Sequence, residues 1–153
     1  MKIYVDADAC PKSIREIIYR AGERTKTAVL MVANHFFQLP NSQFVTMVQV
    51  PSGFDEADKW IVEAVVVGDL VISNDIPLAD LAIQKRAKVI NLRGKLYDAN
   101  NIKQALATRD LLSELRDNLQ ISGGPPPMNP TAVKQFAQQL DKLLMHNQLN
   151  ILK

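Results

Sequence analysis

Cysteine occurs once in the 153 residues, at Cys10, and histidine twice, at His35 and His146. A lone thiol forms no internal disulfide and cannot build a cysteine-based zinc site, so both are excluded. With two histidines, a nitrogen-rich metal site is not expected either. No apolar run approaches the length that spans a bilayer, and the first residues enter a strand pattern without the basic and apolar segments of a secretory leader. A soluble, cytoplasmic protein with no membrane partner is therefore expected. Internal repeats are absent, and nothing in the sequence specifies an oligomer. The net charge of +2 is too small to predict a polyanionic partner by itself, although it leaves room for a local basic patch. Hydrophobic residues at 47% and charged residues at 22% describe an ordinary globular chain, and its length suits one domain over 1–153.

The chemistry is concentrated in Ile3 to Pro11, IYVDADACP, where a short apolar run ends in two aspartates two residues apart and a proline opens a helical pattern. Alternation along an extended segment puts Asp6 and Asp8 on one side, at the carboxyl end of a first strand. That edge is where open α/β sheets bind ligands. Two carboxylates held close repel each other, so keeping both ionised calls for a cation, and hard ions such as Mg²⁺ prefer oxygen ligands. The alternative is that one aspartate caps the helix beginning near Pro11 while the other is solvated. Capping accounts for one carboxylate and not for the pair.

Ile14, Ile17, Ile18 and Ala21 recur at helical spacing, which predicts an amphipathic helix from 11 to about 24. TAVLMV, from Thr27 to Val32, reads as a buried strand, and FVTMVQV, from Phe44 to Val50, as a third strand after the loop NHFFQLPNSQ. A second helical face runs through Phe54, Ala57, Trp60, Ile61 and Ala64. LVIS after Asp69 has the wholly apolar character of a central parallel strand, and Asn74 and Asp75 follow it at once. A helix over about 77–87 and the strand KVINL at 88–92 continue the alternation. The pattern predicts an α/β fold with a mainly parallel central sheet, right-handed crossovers and helices on both faces. Arg93 and Gly94 then form a turn. Two C-terminal helices follow within about 99–147, separated by ISGGPPPMNP, where glycines release the backbone and prolines remove amide donors. They are expected to pack on the sheet core, since a single helix cannot bury its own apolar face.

Parallel topology brings the carboxyl ends of the first strand and of LVIS to one edge, so Asp75 is expected beside Asp6 and Asp8. Asp80, five positions on, is either a fourth ligand or a solvated helical residue. Asp55 and Asp58 open the second helix, whose amino end belongs to the same edge; they either join the site or complement the helix dipole, with Asp55 as cap. Asp69 precedes its strand, belongs to the opposite edge and is read as structural. Ser73 begins an S-x-D turn, where its hydroxyl either orients a metal ligand or phosphate or caps the helix. Cys10 lies at a helix amino end, yet no histidine is placed to pair with it, so a buried small residue is favoured over a nucleophile. His35 precedes Phe36 and Phe37, for which core packing is favoured over stacking on bases. Lys12, Arg15, Arg93, Lys95 and Arg109 supply candidates for phosphate contacts. With Ser73 and Asn74, the expected substrate contacts are Lys12, Arg93 and Arg109.

The motifs VDADACPK, GFDEADKWI, SNDIPLAD, NLRG and TRD, followed by GGPPP, closely resemble the YaiI/YqxD family, a bacterial group that looks like the PIN-domain nucleases. The likeness spans essentially the whole chain. It implies a PIN-like three-layer α/β/α sandwich in which carboxylates at the carboxyl edge of the sheet hold Mg²⁺ or Mn²⁺. It makes Asp6 the metal acid of the first strand and Asp75 the acid of the S/T-x-D turn. Asp8, Asp55 and Asp58 carry over as shared motif residues, with Asp58 or Glu63 standing where PIN enzymes place an acid in the second helix region. The resulting expectation is a metal site from Asp6, Asp8, Asp55 and Asp75, catalysis by Asp6, Asp8, Asp58 and Asp75, and RNA phosphodiesters as substrate.

Two alternatives stand beside this one. VDADAC resembles the D-x-D signature of haloacid-dehalogenase phosphatases, which would make Asp6 a nucleophile and Asp8 a general acid. Against it, Pro11 leaves little room for a flap and AVLMVANH lacks the serine or threonine usual at the second strand's end. The other is a non-catalytic RNA- or protein-binding domain that keeps the acidic pocket.

Overall fold

Strands β1 (Ile3–Asp6), β2 (Val29–Ala33), β3 (Val45–Gln49), β4 (Leu70–Ile72), β5 (Lys88–Ile90) and β6 (Leu96–Tyr97) form one sheet in the order β3-β2-β1-β4-β5-β6. They are seen in a computed structural model that describes residues 1–53, 55–119 and 128–152. The first five strands are parallel, with Ile3 opposite both Val29 and Leu70, and β6 alone runs antiparallel, against β5. Parallel strands are covered on both faces, so both sets of alternating side chains are apolar. Ile3, Val5, Met31 and Ile72 point into one core with α1 (Lys12–Thr25) and α5 (Pro130–Leu152). Tyr4, Val32, Val71 and Val89 point into the other with α2 (Glu56–Ala64), α3 (Ile76–Gln84) and α4 (Ile102–Leu119). The result is a three-layer α/β/α sandwich, as expected.

Chain order decides where a site can form. From β1 the chain steps outward through β2 to β3, then crosses back to lay β4 on the other side of β1. β1 and β4 therefore bracket the point where strand order reverses, and the loops leaving their carboxyl ends diverge to open a crevice. Asp6 ends β1 and Ser73 follows β4, so both face that crevice.

α5 belongs to the core. Phe136, Leu140 and Leu144 are buried with Ile14 and Ile18 of α1, and an Arg24–Asp141 ion pair joins the two helices at the surface. The turn before β6 also rests on α5: Gly94 adopts φ +86°, and a Cβ there would stand 2.7 Å from the Gln135 carbonyl oxygen. No helix among the described residues is long and apolar enough to cross a membrane.

Several local expectations change. The extended segment ends at Asp6, and Ala7–Ala9 form a 3₁₀ turn, so the alternation that would have aligned Asp8 with Asp6 is lost. β6 has only two residues, too few to carry a period-two pattern. The last helix continues past 147 to Leu152. Phe37 packs partly on the core, whereas Phe36 is 70% exposed and does not. Phe54 and the glycine- and proline-rich stretch over 120–127 lie outside the described residues.

Candidate metal centre

Asp55, Asp58 and Asp75 bring one carboxylate oxygen each to within 4.8 Å of one another, the one such acidic group among the described residues. Each arrives for a different reason. Asp75 leaves β4 through an S-x-D turn and becomes the N-cap of α3, its Oδ1 accepting the Leu78 N–H at 3.0 Å. Pro77 in the first turn suits that cap because its missing amide would have no helical partner. Asp58 lies on the first turn of α2 and faces Asp75, with which it shares a hydrogen bond. Asp55 occupies the N-cap position of α2 in the left-handed region, φ +63°, a conformation aspartate tolerates better than most residues. Its side chain makes no capping bond, so the carboxylate is directed to its acidic neighbours and not to the helix end.

Asp6 stands behind this group. Ser73 Oγ donates to Asp6 Oδ2 at 3.0 Å and accepts the Asp75 N–H at 2.9 Å, so one buried hydroxyl links the acid of β1 to the acid-bearing turn. Of the two roles expected of Ser73, capping falls to Asp75, and the Ser73 hydroxyl orients two carboxylate-bearing segments. Burial raises the pKa of Asp6; the Ser73 hydrogen bond opposes that, and the charges of Asp75 and Asp8 add to it. Asp8 points elsewhere. Its carboxylate accepts the Asn34 N–H at 2.9 Å and pairs with His35 Nδ1 at 2.8 Å, holding the loop after β2.

Electrostatic stress concentrates on Asp58, whose carboxyl is pushed up to about 7, first by burial and then by the charge of Asp75, their hydrogen bond, Asp6 and Asp55. In the metal-free chain the folded state therefore holds a proton that the unfolded state, titrating near 3.8, has released. That contribution is fully present below the unfolded value and is lost as pH rises through about 7. Asp58→Asn cannot ionise, so in chelator it is expected to be more stable than the parent at pH about 8, by about 1–2 kcal/mol after solvent screening. Thermal melts from pH about 5 to 8 should show the parent weakening and the variant holding level; a parent curve as flat as the variant's would contradict the strain.

The remaining candidates divide between two cavities. One, of about 570 Å³, is lined by the three acids, Glu63, Arg109 and an apolar floor of Val62, Pro77, Leu78 and Leu81. The other, of about 630 Å³, is lined by Asn74, Arg93, Lys95, Tyr97 and, again, Arg109. Asn74 is also a structural tie, its Oδ1 accepting the Leu92 N–H at 2.8 Å. Lys12 is exposed at the start of α1 and lines neither cavity. Asp80 is engaged by Gln84 and Lys103 and stays out of the acidic group. Asp69 is buried at the opposite edge, accepting the Lys2 and Val66 amides, as its position before β4 implied. Burial pushes the Cys10 thiol up to about 12, with Arg15 opposing, which removes it as a nucleophile. The Asp8–His35 pair and the Asn74–Leu92 tie had no signal in the sequence, because each joins loops that only the parallel pairing brings together.

The family model described as "Uncharacterized BCR, YaiI/YqxD family" matches residues 4–146. The chain belongs to the YaiI/YqxD family. A UPF0178 protein of Pseudoalteromonas translucida is 47% identical over 96% of this chain and 98% of its own. UPF0178 proteins of Marinobacter nauticus and Shewanella amazonensis are each 48% identical, over 96% and 94% of this chain and 98% and 97% of theirs. No solved structure matches the chain. The YaiI/YqxD match covers all six strands apart from Ile3, together with every acid of the candidate centre.

Proposed function

We propose that this chain is a divalent-metal-dependent nuclease of PIN-like type acting on RNA phosphodiesters. The observation that carries the reading is the convergence of Asp55, Asp58 and Asp75 at the point where strand order reverses. The donor set fits Mg²⁺ or Mn²⁺: it is all oxygen, partly exposed, and carries more negative charge than it can hold unaided, as the proton retained by Asp58 indicates. A divalent ion held by these three carboxylates would stabilise charge developing on a phosphodiester and make water easier to deprotonate. Asp6, through Ser73, would position the Asp75 segment. Arg109, at the rim of the same cavity, would take a non-bridging phosphate oxygen. In the hydrolysis, a water oxygen bonds to phosphorus and gives a proton to solvent, the bond from phosphorus to the leaving ribose oxygen breaks, and that oxygen takes a proton from solvent.

The phosphatase alternative needs Asp8 as a general acid, and Asp8 would first have to leave both Asn34 and His35. The test is Mn²⁺ titration of the purified protein against a single-stranded RNA and, in parallel, a phosphomonoester, with Asp58→Asn as control. Mn²⁺-dependent RNA cleavage that the variant lacks is the expected result. Monoester turnover alone would hand the site to the phosphatase reading, and metal-dependent RNA binding without cleavage would leave a non-catalytic module.

A further inference from the structure

Two cavities meet at Arg109, and they differ in chemistry. The first combines the acids with the apolar floor of Val62, Pro77, Leu78 and Leu81. The second, between α4 and the turn joining β5 to β6, presents Arg93 and Lys95 beside the side-chain amides of Asn101 and Gln104. Asp75 lines the first and Asn74, its neighbour in the chain, lines the second, so the two share one wall. Arg109 spans the junction; among the described residues it pairs with Asp110 in an exposed contact at 3.8 Å, which is too weak to commit the guanidinium.

The cations are also held in place relative to the acids. Asn74 Oδ1 accepts from Leu92 N at 2.8 Å, tying the acid-bearing turn to the hairpin. Asn91 Oδ1 accepts from both Arg93 N and Lys95 N at 2.9 Å, closing the hairpin around its own side chain. Gly94 seats that hairpin directly on the α5 backbone, with no room for a side chain, and Lys95 Nζ lies 5.5 Å from the centre of the Tyr97 ring. Spacing between an acidic centre and a cationic groove is thus set by backbone amides donating to the side chains of Asn74 and Asn91 and does not depend on flexible surface side chains alone.

We propose that these cavities form one track for single-stranded RNA, with the phosphate beside Asp75 at the acids, a base on the apolar floor, and the neighbouring phosphates held by Arg109, Arg93 and Lys95. The proposal rests on the nuclease reading and specifies its substrate form. An apolar floor recognises the face of a base, and in a duplex those faces are stacked on one another and out of reach. The basic groove adds sequence-independent attraction for the backbone beside the acids.

The test is fluorescence anisotropy of an end-labelled single-stranded RNA in chelator, where binding is read without turnover, across a salt series. Lys95→Glu and Arg109→Ala are each expected to weaken binding by roughly three- to tenfold and to lower the slope of log affinity against log salt by about 0.7 per lost contact. Lys26→Glu, exposed at the end of α1 just before β2 and so at the opposite edge of the sheet, is the charge-matched control and should bind like the parent. A duplex of the same sequence should bind at least about tenfold more weakly. Parent-like binding by Lys95→Glu and Arg109→Ala, equal loss in Lys26→Glu, or equal affinity for the duplex would each overturn the track. Because Mn²⁺-dependent cleavage is scored separately, the two ideas fail separately. Cleavage retained with groove-independent binding removes the track alone, while groove-dependent binding without parent cleavage removes the nuclease alone.

Discussion

Asp75→Asn is expected to weaken Mn²⁺ binding by at least about a hundredfold and to abolish Mn²⁺-dependent RNA cleavage, with no loss of thermal stability. The substitution separates two roles that Asp75 holds at once. Its Oδ1 caps α3 by accepting from Leu78, and asparagine caps helices about as well as aspartate, so the local structure should persist. What asparagine cannot supply is the negative charge at the centre of the acidic group. Changing even a group that only supports a metal ligand costs 10–100-fold in affinity as a rule of thumb, so removing a charged ligand should reach at least about the upper end of that range. A second readout follows from the same geometry. Asp58 is held up partly by the charge of Asp75 and their hydrogen bond, so in the variant its carboxyl should titrate closer to the ordinary range. Calorimetric Mn²⁺ titration and carboxyl NMR across pH check the two halves. A variant that binds Mn²⁺ as tightly as the parent would remove this acidic group as the metal centre.

Phe136→Ala should be the most destabilising of the substitutions considered, by about 3–5 kcal/mol. Phe136 is 0% exposed, lies on α5 and packs into the core formed by α1 and one face of β1, β2 and β4. Its loss leaves a cavity lined by side chains already fixed by the sheet, which have little freedom to collapse into it. For a chain of this length each kcal/mol moves the midpoint by about 2–4 °C, so a fall of about 10 °C or more is expected in a single transition followed by circular dichroism. A loss below about 1 kcal/mol, or a second transition at lower temperature, would mean that α5 is an appendage and not a wall of the core.

Much of this arrangement was legible because it depends on local pattern. LVIS announced itself as a central strand: each residue from Leu70 to Ile72 is buried, and β4 lies between β1 and β5. A strand covered on both faces must be apolar at successive positions, whatever the details of its neighbours. The acids were found by the same economy. Asp55, Asp58 and Asp75 follow strands or open helices at the carboxyl edge, and parallel strands with crossovers place all such segments together.

Other features were not legible because nothing local carries them. Asp8 sits two residues after Asp6, yet a 3₁₀ turn intervenes and gives its carboxylate to Asn34 and His35, which are 26 and 27 positions away in sequence. Asn74 reads as a substrate contact, but its side chain meets the Leu92 amide, and it does so only because β4 and β5 lie side by side. Phe36 and Phe37 read alike, and only the course of the loop buries part of one and exposes the other.

The sequence alone determined the strand–helix alternation, the two-faced burial of the sheet and the acids assigned to its carboxyl edge, since these follow from period, propensity and chain direction. Tertiary structure decided which oxygens meet. Three carboxylates from α2 and the β4–α3 turn converge while Asp6 is held one hydroxyl behind them, because side-chain direction at the end of a strand is set by the packing of neighbouring loops and not by spacing in the chain.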